Sequence, residues 1–203
     1  CKKIKSQGYK VMLSGTGGDE FFASYYHHYL GYLYSIQRKK NFNKIHKFWK
    51  KNISIYIRSK GMKNFQNFKK NIQNRLSSTS HSQHEDHELK KYVLKKAISK
   101  NVKKYSDDFY FNMMLQDLTQ TSLPHQLDTL DSIPMFYSIE SRSPFLSSTI
   151  FDFLSSLPKE YFFKGGRPKS LLRDAMEDYA PKSILNNFNK IGFYISFNEI
   201  FSK

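Results

Sequence analysis

The run Ser14-Gly15-Thr16-Gly17-Gly18 constrains the fold more than any other part of this chain. It follows residues 9–13, whose β-branched and aromatic content suits a short buried strand. It precedes Asp19 and Glu20, acids that favour the first turn of a helix. A strand that passes through a glycine turn into a helix implies an α/β arrangement. The glycines also let backbone N–H groups converge on an anion at the helix start, with Asp19 placed to hold Mg²⁺ beside it. A tight strand-to-helix turn with an acidic first turn accounts for the same residues equally well. No Lys-Ser or Lys-Thr follows the glycines, so this is not a Walker loop, and no dinucleotide fingerprint is present.

The remainder reads as predominantly helical. Aromatic-rich residues 21–40 form one helix. Residues 41–75 form amphipathic helices, with Ile45, Phe48, Trp49, Ile53 and Ile57 spaced for one face and Gly61 as a break. The polar run 76–88 is an exposed loop. Helical patterning resumes over 89–102 and again over 107–121, the latter with an acidic first turn. Pro124, Pro134, Pro144 and Pro158 then predict short helices and turns.

With 203 residues, 39% of them hydrophobic, the chain can bury a core, and global disorder is excluded. No apolar run approaches the roughly eighteen residues of a membrane span, and CKKIKSQGYK lacks the apolar stretch of a secretory leader. Cys1, the sole cysteine, can form neither an internal disulfide nor a cysteine-based metal knuckle; no base neighbours it in sequence. A cytoplasmic protein is the expectation. The formal charge of +16 is concentrated: residues 38–104 carry 20 lysines and arginines against Glu85, Asp86 and Glu88. Because 27 of the 33 cations in the chain are lysine, this block reads as a solvated basic helical face rather than a nucleic-acid surface.

Three further clusters bear on chemistry. In FFKGGRPKSLLRDAMEDYAP, Pro168 opens a helix running to about Tyr179, which places Lys169 in the first turn. Leu171, Leu172, Ala175, Met176 and Tyr179 form its buried stripe. Lys164, Arg167 and Lys169 crowd the positive end of that helix dipole, while Asp174, Glu177 and Asp178 lie toward the other end. A helix arranged for stability alone does the reverse, so an oxyanion site and a solvated basic cluster both stand as readings. In SIESRSPFL, Glu140 and Arg142 suit a structural ion pair, and Pro144 makes Ser143 extended. His81, His84 and His87 are regularly spaced, but in a polar loop they make a weak metal site.

Taken in order, LSGTGGDE, SIESRSPFL, GGRPKSLLRDAM and PKSILNNFNKIGF resemble the synthetase domain of glutamine-dependent asparagine synthetases. The resemblance covers about residues 7–193, with about 37–104 a basic, family-variable helical segment within a single partial synthetase domain. It implies the C-terminal part of an adenine-nucleotide α-hydrolase-like (ATP pyrophosphatase) fold. The implied activity is ATP-dependent adenylation of a carboxylate, that of aspartate first, with pyrophosphate release and then amide formation by ammonia from a glutaminase domain. ATP and Mg²⁺ are the implied cofactors, and the complete protein can form a homodimer.

By resemblance, Ser14 and Gly15 contact ATP with Gly17 and Gly18 completing the loop, and Asp19 holds Mg²⁺ and pyrophosphate. Lys169 neutralises developing charge. Glu140 matches an acid that assists proton removal in β-lactam-forming relatives. The sequence departs from the family at Thr16, where glutamate or tyrosine is usual, at Ser147, where aspartate is usual, and at Pro134, where serine is usual. The family's Ser-Gly-Gly-x-Asp-Ser pyrophosphate loop does not occur in these 203 residues. The expectation is therefore a C-terminal fragment or split gene product, inactive alone. Thr16 leaves open a relative acting on another carboxylate, and the lysine block leaves open a noncatalytic anion-binding module.

Overall fold

In the computed structural model the described residues are 1–57, 60–70, 72 and 103–189. Helices dominate. The two strands, β1 (Val11–Leu13) and β2 (Glu140–Arg142), pair in parallel with Val11 opposite Glu140 and Leu13 opposite Arg142. No larger nucleotide-binding sheet occurs among the described residues. The strand expected to be buried is open instead: Val11 is 41% and Leu13 74% exposed, because β1 has β2 as its only strand neighbour among the described residues.

At the centre lies the helix Tyr26–Ser35, buried without interruption from His27 to Leu33. A helix that is buried all round needs partners on every side. Its principal partner is the helix Phe109–Thr119. Asp108 caps that helix by accepting hydrogen bonds from the N–H groups of Tyr110 (3.0 Å) and Phe111 (3.1 Å), and it also pairs with Lys159. Tyr32 stacks on Phe163 at 4.4 Å, and the Tyr29 hydroxyl donates to the Gly166 carbonyl at 2.7 Å. Burial and then the charge of Glu160 push the Tyr32 phenol up to about 12. The long turn Lys159–Gly166, which leads into the Lys169 region, is thereby fastened to the core.

The single helix expected over 21–40 is two. A one-turn helix, Gly18–Phe21, ends where Ala23 takes a left-handed conformation (φ 57°), and the chain restarts at Tyr26. In the basic segment, Ile45, Trp49, Ile53 and Ile57 are buried while Lys44, Lys47, Lys50 and Lys51 are exposed, as an amphipathic pattern requires. Gly61 lies inside the helix Lys60–Lys63 rather than breaking one; the interruption falls at Asn64.

Pro124 and Pro134 do not divide their segment either, since both lie within the helix Ser122–Phe136. Pro124 occupies the first turn, where no intrahelical N–H is required, and Pro134 sits in the last. The helix after Pro168 is only Ser170–Ala175; beyond it Met176 and Tyr179 are exposed, so the expected stripe stops at Leu171 and Leu172, both partly buried. The polar loop at 76–88, the helix at 89–102 and the histidines 81, 84 and 87 lie outside the described residues.

Candidate active site

The glycine turn is held at both ends by the SIESRSPFL segment. The Ser14 N–H donates to the Arg142 carbonyl at 2.8 Å, continuing the strand ladder, and the Ser14 and Ser143 hydroxyls lie 2.9 Å apart. Ser14 also donates to the Thr16 hydroxyl at 3.0 Å. Gly17 caps the helix Gly18–Phe21 with φ 89°, and a Cβ there would lie 2.3 Å from Leu146. Both facts demand glycine. Gly18 faces the Phe145 ring, whereas Gly15 has open space beside it. The glycine turn and the Pro-Phe-Leu turn are thus one packed unit.

Asp19 leaves this unit in the first helical turn and meets Lys169, with Nζ and Oδ1 2.5 Å apart. Lys169 is not in a first turn as its sequence context implied. It is the residue that caps Ser170–Ala175, in a left-handed conformation with φ 55°. The charges that opposed the helix dipole are largely accounted for by Asp174, which pairs with Lys164 at 3.1 Å and Arg167 at 2.6 Å. Burial alone would raise the Asp174 carboxyl, but hydrogen bonds from these two cations outweigh it and hold it below the usual range. Lys169 is directed to Asp19 instead. Ser170 anchors the approach: its hydroxyl donates to the Tyr161 carbonyl at 2.5 Å and accepts from the Lys164 N–H at 2.8 Å.

The Asp19–Lys169 pair lines a cleft of about 300 Å³, together with Tyr25, Tyr29, Arg173 and Asn187. Arg173 donates to the carbonyls of Pro168 (2.9 Å), Ile184 (3.1 Å), Leu185 and Asn187 (2.9 Å), and its guanidinium lies 5.1 Å from the Phe188 ring centre. It therefore clamps the described part of the last motif over the cleft. Burial and then Arg167 hold the Arg173 guanidinium below its ordinary value. Arg173 lay within a quoted motif, but neither motif order nor spacing marked it as a clamp.

Glu140 is outside the cleft lining. It lies on β2, exposed, with Arg142 donating to it at 2.8 and 3.3 Å; that contact lowers its pKa. Glu20, beside Asp19 in sequence, is buried and accepts from Tyr25 (2.5 Å), Ser122 (2.9 Å) and Gln126 (2.7 Å). Burial and the Glu20 hydrogen bond push the Tyr25 phenol well above its ordinary value. Ser147 caps Ser148–Ser156 by accepting from the Ile150 N–H at 3.2 Å, a duty aspartate also performs. Cys1, partly buried and free, caps the short helix Lys2–Ser6.

The family model described as asparagine synthase matches residues 1–202. Among curated proteins, asparagine synthetase (glutamine-hydrolyzing) 1 of Bacillus subtilis (strain 168) is 43% identical over 63 residues, which is 31% of this chain. The matched stretch amounts to 10% of that relative's length. No solved structure matches.

Proposed function

Because the chain belongs to the asparagine synthase family, we propose that it supplies the Asp19–Lys169 part of a site that activates a carboxylate with ATP and Mg²⁺ and yields an amide. The supporting observation is the 2.5 Å ion pair between two side chains from different motifs, each partly exposed at one cleft. Such a pair can exchange partners without net change of charge: Asp19 turns to a divalent cation and Lys169 to the oxyanion that the cation accompanies. One carboxylate suffices, since Mg²⁺ beside phosphates commonly takes one or two protein carboxylates. ATP with Mg²⁺ supplies the leaving group that activates the carboxylate.

The protein's own contributions are then distinct. Asp19 orients the cation, Lys169 stabilises charge that grows on the reacting oxygens, and Arg173 keeps the 184–189 segment over the cleft. Ser14, Gly15, Gly17 and Gly18 shape the turn, with Gly15 on its open side. Glu140 is proposed to act only once Arg142 releases it. The ATP pyrophosphatase fold, completed by a Ser-Gly-Gly-x-Asp-Ser loop outside these residues, belongs to the same proposal. So do the single partial domain with its variable basic segment at about 37–104, ammonia from a glutaminase domain, a cytoplasmic setting and a homodimer. Among the described residues no helix is long and apolar enough to cross a membrane.

The test is ATP–pyrophosphate exchange with aspartate, in the chain alone and together with a segment bearing that loop. Exchange only in the combination, lost in Asp19→Asn, supports the reading. Robust exchange by the chain alone, or an unaffected Asp19→Asn, refutes it. Thr16, a neutral hydroxyl held by Ser14, favours a second reading in which the acceptor is a carboxylate other than that of aspartate. Replacing aspartate with other acids in the same assay distinguishes the two.

A further inference from the structure

Behind the cleft, the histidines that open the central helix meet an acid ninety residues away in sequence. The Nε2 atoms of His27 and His28 lie 2.6 and 2.7 Å from the same Oδ2 of Asp117. All three residues are buried, and their ligating atoms fall within 4.8 Å of one another. We propose that His27, His28 and Asp117 form a closed binding site for a divalent transition metal of the zinc class, distinct from the Mg²⁺ position assigned to Asp19.

The donor set selects the metal. Two imidazole nitrogens and one carboxylate oxygen suit zinc and its neighbours, whereas Mg²⁺ and Ca²⁺ prefer oxygen throughout. The surroundings pre-position the ligands. Thr121 donates to Asp117 Oδ1 at 2.8 Å, which fixes the carboxylate and turns Oδ2 toward the rings. Tyr25 stacks on His27 with ring centres 5.3 Å apart and planes 10° apart, and it meets His28 edge-on. His28 Nδ1 is buried without a hydrogen-bond partner, so its ring is held by packing and by the Nε2 contact.

Zinc–ligand bonds of about 2.0–2.1 Å in tetrahedral geometry place ligands roughly 3.3 Å apart. Loading therefore lengthens the two nitrogen–oxygen separations modestly, a change that side-chain rotation can absorb. A dication there more than neutralises the charge of buried Asp117, leaving one net positive charge that an anionic fourth ligand such as hydroxide would cancel. His27, the least buried of the three, marks the side of entry. Since Tyr25 also lines the cleft, the ion would stiffen one wall of it.

The test is metal analysis of the full 203-residue chain after dialysis against micromolar zinc chloride, with thermal melting. One zinc per chain is expected, with the melting midpoint rising by roughly 5–10 °C at a hundredfold excess over Kd. Asp117→Asn and His28→Gln should abolish both effects, while a variant with His81, His84 and His87 all changed to Gln should keep them. No bound zinc, or binding lost in the triple variant and kept in Asp117→Asn, overturns the proposal. Should the buried variants fail to fold, X-ray absorption of the zinc-loaded wild-type chain decides. Two imidazoles with oxygen ligands support the site, and a sulfur ligand or additional imidazoles refute it.

Discussion

Replacing Lys169 separates the backbone role of this position from its side-chain role. The residue has φ 55° and ψ 28°, a conformation that costs a residue with a Cβ roughly 1–2 kcal/mol and glycine little. Its partly exposed ion pair with Asp19 contributes about 0.2–1 kcal/mol. Lys169→Ala loses the pair and keeps the strain, so it should be less stable than wild type by about 0.2–1 kcal/mol. Lys169→Gly loses the pair and releases the strain, so it should melt near wild type and above the alanine variant by about 1 kcal/mol, or roughly 2–4 °C for a chain of this size. Lys169→Arg keeps a cation and most of the stability.

Turnover should not follow that order. A positioned cation facing charge that develops during reaction is typically worth about a hundredfold or more in rate, so both Ala and Gly should lose that factor. Arg should recover little, because a planar fork does not replace a compact ammonium. Thermal melting and pyrophosphate exchange on the four proteins, each supplied with the loop-bearing segment, give the comparison. If glycine is no more stable than alanine, the strain assignment is wrong. If activity tracks melting temperature, the charge assignment is wrong.

Gly17→Ala should destabilise by about 2–3 kcal/mol in denaturant unfolding, from overpacking against Leu146 and from the positive φ; adding Leu146→Ala should recover only the packing part. Asp108→Ala should cost about 1–2 kcal/mol through its lost cap, while Asp108→Asn, which keeps the cap, should cost less. Burial, assisted by Lys50, holds the His46 imidazole below its ordinary pKa. Its contribution is therefore present above about pH 6.5 and declines as pH falls from there toward the folded-state value. Unfolding free energies at several pH values should show that decline in wild type and a flatter profile in His46→Phe.

The residues that were legible in the sequence advertise themselves locally. Asp19 stands beside glycines and Lys169 follows Gly-Gly-Arg-Pro, and their contact in the fold joins motifs separated by most of the chain. Illegible were the features that depend on distant partners or on backbone states without a residue signature. Ala23 carries the left-handed turn that splits the expected helix, yet alanine is an ordinary helix former. Glu20 resembles any first-turn acid until Tyr25, Ser122 and Gln126 close over it. Asp117 is one of several polar residues on its helix, beside Asn112, Gln116 and Thr119, and nothing local linked it to two histidines that precede it by about ninety positions. Pro124 and Pro134 misled in the opposite direction: a first-turn proline gives up an N–H that has no intrahelical acceptor, and Pro134 gives up one bond only two residues before the helix ends at Phe136.

The glycine turn is stiff on one side and vacant on the other. Leu146 occupies the space beside Gly17, whose φ is also positive, so a side chain there must displace the Pro-Phe-Leu turn, while Gly18 lies in contact range of the Phe145 ring. Gly15 has no positive φ and nothing within 4 Å of its Cβ direction, and Thr16 beside it is only partly buried. Under the proposed function, which keeps Gly15 for ATP, variation that retunes acceptor choice has a cheap address at Thr16. That position can exchange size, charge and polarity while the frame that aims Asp19 stays intact, so selectivity can drift there without the stability losses that reshaping the turn would bring.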